Sequence, residues 1–111
     1  MNNELKNFQE NREKLNKILL DNANLPIKRF ISLDSQTYRE GALDSKTKEL
    51  LGLVASTVLR CDDCINYHIL QCKEEGINTE EFAEAMSVAL IVGGSITIPH
   101  LRRAFKNWEQ K

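Results

Sequence analysis

The scarcity of chain-breaking residues is the strongest constraint on the fold of this chain. Its 111 residues include 5 Gly and 2 Pro, and the segments between them repeat apolar residues at helical spacing. The nearest approach to an alternating strand pattern is the run 95–98, which is too short to form one. We therefore expect an all-α fold of about six helices, in a single domain overall.

Capping residues and glycines divide the chain into these helices. The third helix is apolar nearly all round, so we expect it to be central and buried. The expected helices cover residues 4–21, Pro26 to about Glu40 with Gly41 after it, Asp44 or Ser45 to Leu59, Cys61 or Asp62 to Gly76, Asn78 to Gly93-Gly94, and about Ile98 to Trp108.

The helices before residue 43 differ in character from those after it. Residues 4–21 are amphipathic and polar over a long stretch, which is typical of a helix that packs on a neighbouring subunit. A chain of this length buries only about 65% of its unfolded surface, so association would add stability. We expect residues 1–42 to supply packing and oligomerisation helices and residues 43–111 to supply the core, in an obligate oligomer.

Charge and hydropathy exclude several classes of function. The formal net charge is −1, so no basic face for nucleic acid is expected. The start, Met1 to Glu4, lacks a basic region followed by an apolar run, and no apolar stretch reaches the length of a membrane span. We expect a cytoplasmic protein, where thiols are mostly kept reduced.

One cluster of residues carries chemistry. Cys61, Cys64 and His68 form the pattern C-x-x-C-x-x-x-H. At 100° per residue, Cys64 and His68 lie about −60° and −20° from Cys61 around a helix, so all three project from one face. The two sulfurs are close enough to form a disulfide, and the imidazole can reach the Cys64 thiol directly or through a water.

A thiol arranged in this way is suited to attack a peroxide or a disulfide. The thiolate is the nucleophile, and a helix N-terminus, a nearby base and a C-x-x-C pattern each favour it. By the helix dipole alone, Cys61 would be the more acidic thiol. Asp62 and Asp63 oppose the effect by adding negative charge. His68 is expected to take or return the proton.

Other interpretations of the same residues remain open. A structural zinc site could use both cysteines and His68, with His100 as the obvious fourth ligand, although one C-x-x-C pair is fewer than such sites usually show. The cysteines could instead be inert core residues, or the motif could survive in a protein that has lost activity. We expect Cys72, Tyr67 and Trp108 to be packing residues.

Glu49 is the other candidate residue. It lies one turn into the otherwise apolar third helix, where a carboxylate must be solvated, paired or functional. A simple first-turn acid that favours the helix dipole is the plainer interpretation.

The sequence resembles the alkyl hydroperoxidase D-like (AhpD-like) proteins of the carboxymuconolactone decarboxylase superfamily. The resemblance rests on Glu49, eleven further residues and then the C-x-x-C-x-x-x-H motif. The segments 43–50 and 76–81, followed by 84–85 and 89–90, and the pair Gly93-Gly94 add support, so that the resemblance covers about residues 43–105. Some peroxidase members carry a His where this chain has Asp63.

The resemblance implies an all-α fold, trimers or hexamers, and hydroperoxide reduction without a cofactor or a metal. In that scheme Cys64 is peroxidatic and Cys61 is resolving, and the two close a disulfide. His68 and Glu49 form a proton relay through a water. A thioredoxin- or lipoyl-type dithiol donor then reduces the disulfide by attacking Cys61, which is expected to be the more exposed sulfur.

Two further functions compete with this expectation. Decarboxylation of a small cyclic acid would use His68 and Glu49 as acid and base, but members with that activity generally lack the cysteine pair. A structural metal-binding helical module would use the cysteines as ligands. The peroxidase expectation places the protein in antioxidant defence, with a hydroperoxide as substrate and other copies of the chain as partners.

Overall fold

The computed structural model describes residues 3–110, so Met1, Asn2 and Lys111, at the expected ends of the two segments, lie outside the described residues. Residues 3–110 contain helices and no strand, which confirms the all-α expectation. The elements are α1 (Glu4–Asn22), α2 (Leu25–Thr37), α3 (Ser45–Val58), α4 (Asp62–Glu74), α5 (Thr79–Gly93), a 3₁₀ turn (Ser95–Thr97) and α6 (Ile98–Glu109).

The predicted caps begin the helices where the sequence indicates. The Asp44 carboxylate accepts a hydrogen bond from the Thr47 N–H at 2.7 Å, which starts α3. Asn78 and Glu81 form a reciprocal capping box at the start of α5. Such caps satisfy N–H groups that have no partner inside the helix. Gly76, after α4, has the positive φ of 76° that favours glycine.

The expected end of α2 is wrong by three residues. The helix ends at Thr37 rather than near Glu40, and Tyr38 is its C-cap. The Lys48 ammonium, one turn into α3, donates to the carbonyls of Thr37 at 3.0 Å and Arg39 at 2.7 Å. These carbonyls are therefore held by a side chain, and the chain turns before Gly41 instead of at it.

The core is built where α3, α4 and α5 pack together and α6 closes over α4. Phe82 is fully buried, and its ring stacks on the Trp108 indole with centroids 4.3 Å apart. Cys72 is also fully buried, and Trp108 is 8% exposed, which confirms both as packing residues. The other core side chains include Leu53, Ile65, Ile69, Met86 and Ala104.

The expectation that α3 is buried nearly all round is wrong for the single chain. Leu51 is 54% exposed, and Leu59, just after the helix, is 77% exposed. The buried face of α3 consists of Glu49, Leu53, Ser56 and Thr57. The helix packs against α4 and α5, and Leu51 and Ala55 are its exposed residues.

The N-terminal helices bury little within the chain. Leu5 is the buried residue of α1, and α2 has none. Leu15 and Ile18, which the helical pattern places on the apolar side of α1, are each more than half exposed. Packing of α1 and α2 on other subunits stays a prediction. None of the helices in residues 3–110 is long and apolar enough to cross a membrane.

The stacked aromatic core predicts a large loss of stability for Phe82→Ala. Removing a fully buried aromatic ring leaves a cavity beside Trp108, so we expect the free energy of unfolding to fall by about 3–5 kcal/mol. Urea denaturation followed by circular dichroism measures the change. Glu84→Ala, on the exposed side of the same helix, should shift the free energy by less than about 0.5 kcal/mol. Equal effects of the two substitutions would contradict this packing.

Candidate active site

Cys61 and Cys64 lie together at the N-terminus of α4. Cys61 is the N-cap, and its sulfur accepts a hydrogen bond from the Cys64 N–H at 3.3 Å. The two Sγ atoms are 2.7 Å apart, and both cysteines are free thiols. A disulfide requires an S–S distance of about 2.05 Å, so a small movement of either side chain brings the sulfurs to bonding distance.

The surroundings of Cys64 disfavour its thiolate. The hydrogen bond with Cys61 is the largest cause, followed by burial, and together with nearby negative charge they raise the pKa of Cys64 to about 11. Since a thiol with this pKa is protonated at neutral pH, attack by Cys64 requires a base that removes the proton. Cys64 is an exposed residue and Cys61 a partly exposed one, so the expectation that Cys61 is the more exposed of the two residues is wrong.

Glu49 and His68 form a buried pair between α3 and α4. Nδ1 of His68 lies 2.9 Å from Oε1 of Glu49, and the two residues are 6% and 5% exposed. A buried carboxylate accepts a hydrogen bond from the ring N–H and thereby fixes the orientation and tautomer of the imidazole. Glu49 is therefore more than a solvated first-turn acid, because its carboxylate holds His68.

Gly52 gives the imidazole its place against α3. A Cβ atom at this position would lie 2.5 Å from Cε1 and 2.8 Å from Nε2 of His68. Contacts this short do not occur between a methyl group and a ring, so only glycine allows the ring to lie here. The sequence analysis missed this role, because a lone glycine in an apolar helix gives no sign of what packs on it.

Tyr38 is the second residue that the sequence analysis missed. Its hydroxyl lies 3.5 Å from Nε2 of His68, at the outer limit of a hydrogen bond. Its ring is tilted over the imidazole with centroids 5.4 Å apart. Tyr67 meets the imidazole edge-on from the other side at 5.2 Å, so it packs as expected. No sequence signal connects Tyr38 to a histidine thirty positions away.

The structure brings the predicted residues together as two pairs. The ring nitrogens of His68 hydrogen-bond Glu49 and Tyr38, and within residues 3–110 neither nitrogen bonds directly to Cys61 or Cys64. A direct contact between the imidazole and the thiol, one of the two arrangements expected from the helical spacing, is therefore not present. A proton must cross an intervening group to pass between the pairs.

His100, the expected fourth zinc ligand, is engaged elsewhere. Its Nδ1 lies 2.6 Å from the Asp62 carboxylate, which also accepts from Nε of Arg103 at 2.7 Å. Burial, the largest single cause, raises the pKa of Asp62. The hydrogen bonds from His100 and Arg103 lower it, and together they outweigh burial, so the net pKa is lowered. No group of three His, Cys, Asp or Glu residues in the described part of the chain is arranged to hold a metal.

These features define a helical protein with a thiol pair at a helix N-terminus and a buried Glu–His pair one turn further on. The model of the carboxymuconolactone decarboxylase family matches residues 27–107, and the chain belongs to this family. Membership confirms the AhpD-like resemblance and the fold that it implied.

Solved structures show the same fold along nearly the whole chain. Two crystal structures of one Thermotoga maritima protein are similar, with TM-scores of 0.91 and 0.88 and identities of 60% and 58%. They cover 94% and 93% of this chain and 91% and 87% of theirs. With the second structure, the Thermotoga protein is described as a carboxymuconolactone decarboxylase family member with a suggested role in an antioxidative response.

More distant relatives agree in fold or in sequence. A carboxymuconolactone decarboxylase family protein from Legionella pneumophila, 24% identical, has a TM-score of 0.82 over 97% of this chain and 96% of its own, which shows the fold alone. "Uncharacterized protein 4 in cox locus" from Paracoccus denitrificans is 31% identical over 75 residues, which are 68% of each chain.

The close approach of His68 to α3 predicts that Gly52→Ala destabilises the protein. In an open helix this change stabilises by about 1 kcal/mol, but here the methyl group overlaps the imidazole, so we expect a loss of about 1–3 kcal/mol. Urea denaturation measures it. Gly41→Ala is the control, because its Cβ would meet Lys48 at an ordinary 3.6 Å. Stabilisation by Gly52→Ala would contradict the observed packing.

The hydrogen bond between the sulfurs predicts how Cys64 reacts with iodoacetamide at pH 8. An alanine at position 61 removes both the hydrogen bond and the ionisable neighbour, so Cys61→Ala should lower the pKa of Cys64 from about 11 and speed its alkylation. Below the pKa, each unit of lowering raises the thiolate fraction about tenfold. Peptide mass spectrometry measures the rate at each cysteine.

Cys72 is the internal control for this measurement. Burial raises its pKa to about 12, and we expect it to stay unlabelled while the protein is folded. Alkylation of Cys64 at the same rate with and without Cys61 would show that the second sulfur has no effect on the first.

Proposed function

We propose that this protein is a thiol-dependent hydroperoxide reductase that works without a cofactor and takes part in antioxidant defence. The observation that carries the proposal is the 2.7 Å separation of the Cys61 and Cys64 sulfurs, one turn from a buried histidine. Its family membership and the antioxidative part suggested for the similar Thermotoga protein support it.

In the proposed reaction Cys64 is the peroxidatic residue. Its exposure lets a peroxide reach the sulfur, and the Glu49–His68 pair receives the thiol proton. The thiolate attacks the terminal peroxide oxygen, the O–O bond breaks, and the leaving alkoxide takes the proton back to become an alcohol. Cys64 is left as a sulfenic acid.

Cys61 then resolves the sulfenic acid. Its sulfur attacks Cys64 Sγ, the S–O bond breaks, and the departing hydroxide takes the Cys61 proton to form water. The sum is one hydroperoxide and two thiols converted to one alcohol, one water and the Cys61–Cys64 disulfide. The short distance between the sulfurs favours this closure over further oxidation of Cys64.

A thioredoxin- or lipoyl-type dithiol donor is the proposed reductant of that disulfide. Exposure favours attack on Cys64 rather than on Cys61. Attack there releases Cys61 as the leaving thiolate, which the helix N-terminus and the Cys64 N–H stabilise. A reduced pair needs a reducing compartment, so the cytoplasm is the proposed location.

Association into a homotrimer or homohexamer belongs to the same proposal. The single chain leaves many large apolar side chains exposed, which monomeric proteins rarely do over contiguous areas. They lie on α1, on α2, on the outer side of α3 and at the end of α5, and include Leu15, Ile18, Phe30, Leu33, Leu51, Ile91 and Val92.

A decarboxylase acting on a small cyclic acid is the second candidate function. The observation in its favour is the buried Glu49–His68 pair, which suits acid–base chemistry, within a family named for that activity. This alternative leaves the adjacent sulfurs without a role. A structural metal module has weaker support, because His100 binds Asp62 instead of facing the cysteines.

Stopped-flow consumption of cumene hydroperoxide by the reduced protein tests the first proposal. Cys64→Ser should lower the rate at least a hundredfold, because it removes the attacking sulfur. Cys72→Ser changes a buried thiol outside the site and should keep the rate within about twofold. Equal rates for the wild type and Cys64→Ser would reject the peroxidase proposal.

Product analysis then separates the two thiol roles from the decarboxylase alternative. After one equivalent of peroxide, peptide mapping should find Cys61 linked to Cys64 and Cys72 free. Turnover of a cyclic acid that survives the double Cys→Ser change but is lost in His68→Ala would favour the decarboxylase instead.

A further inference from the structure

Arg60, the residue before Cys61, has a backbone conformation that arginine rarely adopts. Its φ is 60°, in the left-handed region, and the other two residues with positive φ in residues 3–110 are glycines. The Arg60 N–H donates to the Thr57 carbonyl at 3.0 Å, as the Gly76 N–H after α4 donates to Lys73 at 3.1 Å. Glycine is the usual residue at this position after a helix, and here the chain has an arginine instead.

The Arg60 side chain forms no contact that would offset this conformation. It is exposed, and its guanidinium has no ion pair, hydrogen bond or aromatic partner among residues 3–110. Residues held in the left-handed region without a glycine cost free energy, and they cluster at functional sites. The conformation therefore indicates that the guanidinium binds something outside the chain.

Arg60 also has the right location for such a role, because it lies at the thiol pair. Consecutive Cα atoms are about 3.8 Å apart, so the cation belongs to the residue adjacent to Cys61. The Asp62 carboxylate is already bound by two side chains of α6. Asp63 is exposed and forms no ion pair among the described residues. An anionic molecule at the sulfurs is therefore attracted towards Arg60 and repelled by Asp63.

Leu59 places an apolar surface beside this charge. It is 77% exposed and directly precedes Arg60, so successive residues of one turn offer a contact for hydrocarbon and a contact for an anion. A guanidinium binds carboxylates through two parallel hydrogen bonds. A dithiol on an aliphatic chain that bears a carboxylate matches both side chains and the redox chemistry of the neighbouring cysteines.

Resting on the dithiol-dependent function proposed above, we propose that Arg60 binds the carboxylate of an anionic aliphatic dithiol that reduces the Cys61–Cys64 disulfide. A donor thiolate attacks Cys64 Sγ, the S–S bond breaks, and Cys61 leaves as a thiolate. The second donor sulfur then attacks the mixed disulfide and releases Cys64. Two electrons pass to the protein, the two donor protons end on the cysteines, and the donor becomes a cyclic disulfide. Arg60 determines specificity and takes no part in the exchange.

Two donors with the same dithiol and different charge test the proposal. Dihydrolipoate carries a carboxylate, and dihydrolipoamide has a neutral amide in its place. The Cys61–Cys64 disulfide is first formed with diamide, and the cysteines released by each donor at pH 8 are trapped with excess N-ethylmaleimide and counted by mass spectrometry. We expect the wild type to react about two- to fivefold faster with dihydrolipoate, which is the effect of one exposed ion pair.

Arg60→Gln should bring the ratio of the two rates to about one, because glutamine is long and polar but uncharged. Arg29→Gln removes an exposed arginine of α2, and this control should keep the wild-type ratio. In 1 M NaCl the wild-type preference should disappear, since charges are then screened beyond about 3 Å. A wild-type ratio near one, or an unchanged ratio in Arg60→Gln, would overturn the proposal.

Arg60→Gly separates recognition from folding. Glycine adopts the left-handed conformation without strain, so the urea midpoint should rise while the preference for dihydrolipoate is lost. A lower midpoint would show that the arginine stabilises the fold, and the argument from its conformation would then be wrong. Because diamide forms the disulfide without peroxide, failure of the hydroperoxide assay would reject the peroxidase function and leave this result standing.

Discussion

The hydrogen bond between the Glu49 carboxylate and the His68 imidazole is the contact on which the site depends. It joins α3 to α4 inside the protein, where water cannot replace either partner. Removal of one partner would leave the other buried without a hydrogen bond, which costs about 1–3 kcal/mol or more. Because Nδ1 lies at Glu49, Nε2 is the ring nitrogen that lies at the Tyr38 hydroxyl.

Local rules in the sequence were enough to predict much of this structure. Asp44 and Asn78 cap helices because their short side chains reach the free N–H groups of the first turn, a requirement that does not depend on distant residues. The alignment of Cys61, Cys64 and His68 on α4 follows in the same way from the helical repeat. Glu49 was placed beside them by the spacing of the family resemblance.

The residues that escaped prediction act through contacts between elements. Tyr38 reaches His68 because α2 ends early, and α2 ends early because Lys48, on the next helix, binds the carbonyls around it. Gly52 matters because a ring from α4 lies on it. Both contacts join residues that are distant in the sequence, so helical periodicity and capping rules cannot predict them. The exposed residues of α3 were also mispredicted. An apolar sequence predicts that a helix face is buried, but it does not say whether the same chain or another subunit buries it.

The sulfur that begins α4 links the redox state of the protein to the start of a helix. Cys61 accepts the Cys64 N–H at the positive end of the helix dipole, an arrangement that suits a negatively charged sulfur better than a neutral disulfide. The oxidised and reduced forms of the pair therefore present different sulfur groups to the first turn of α4.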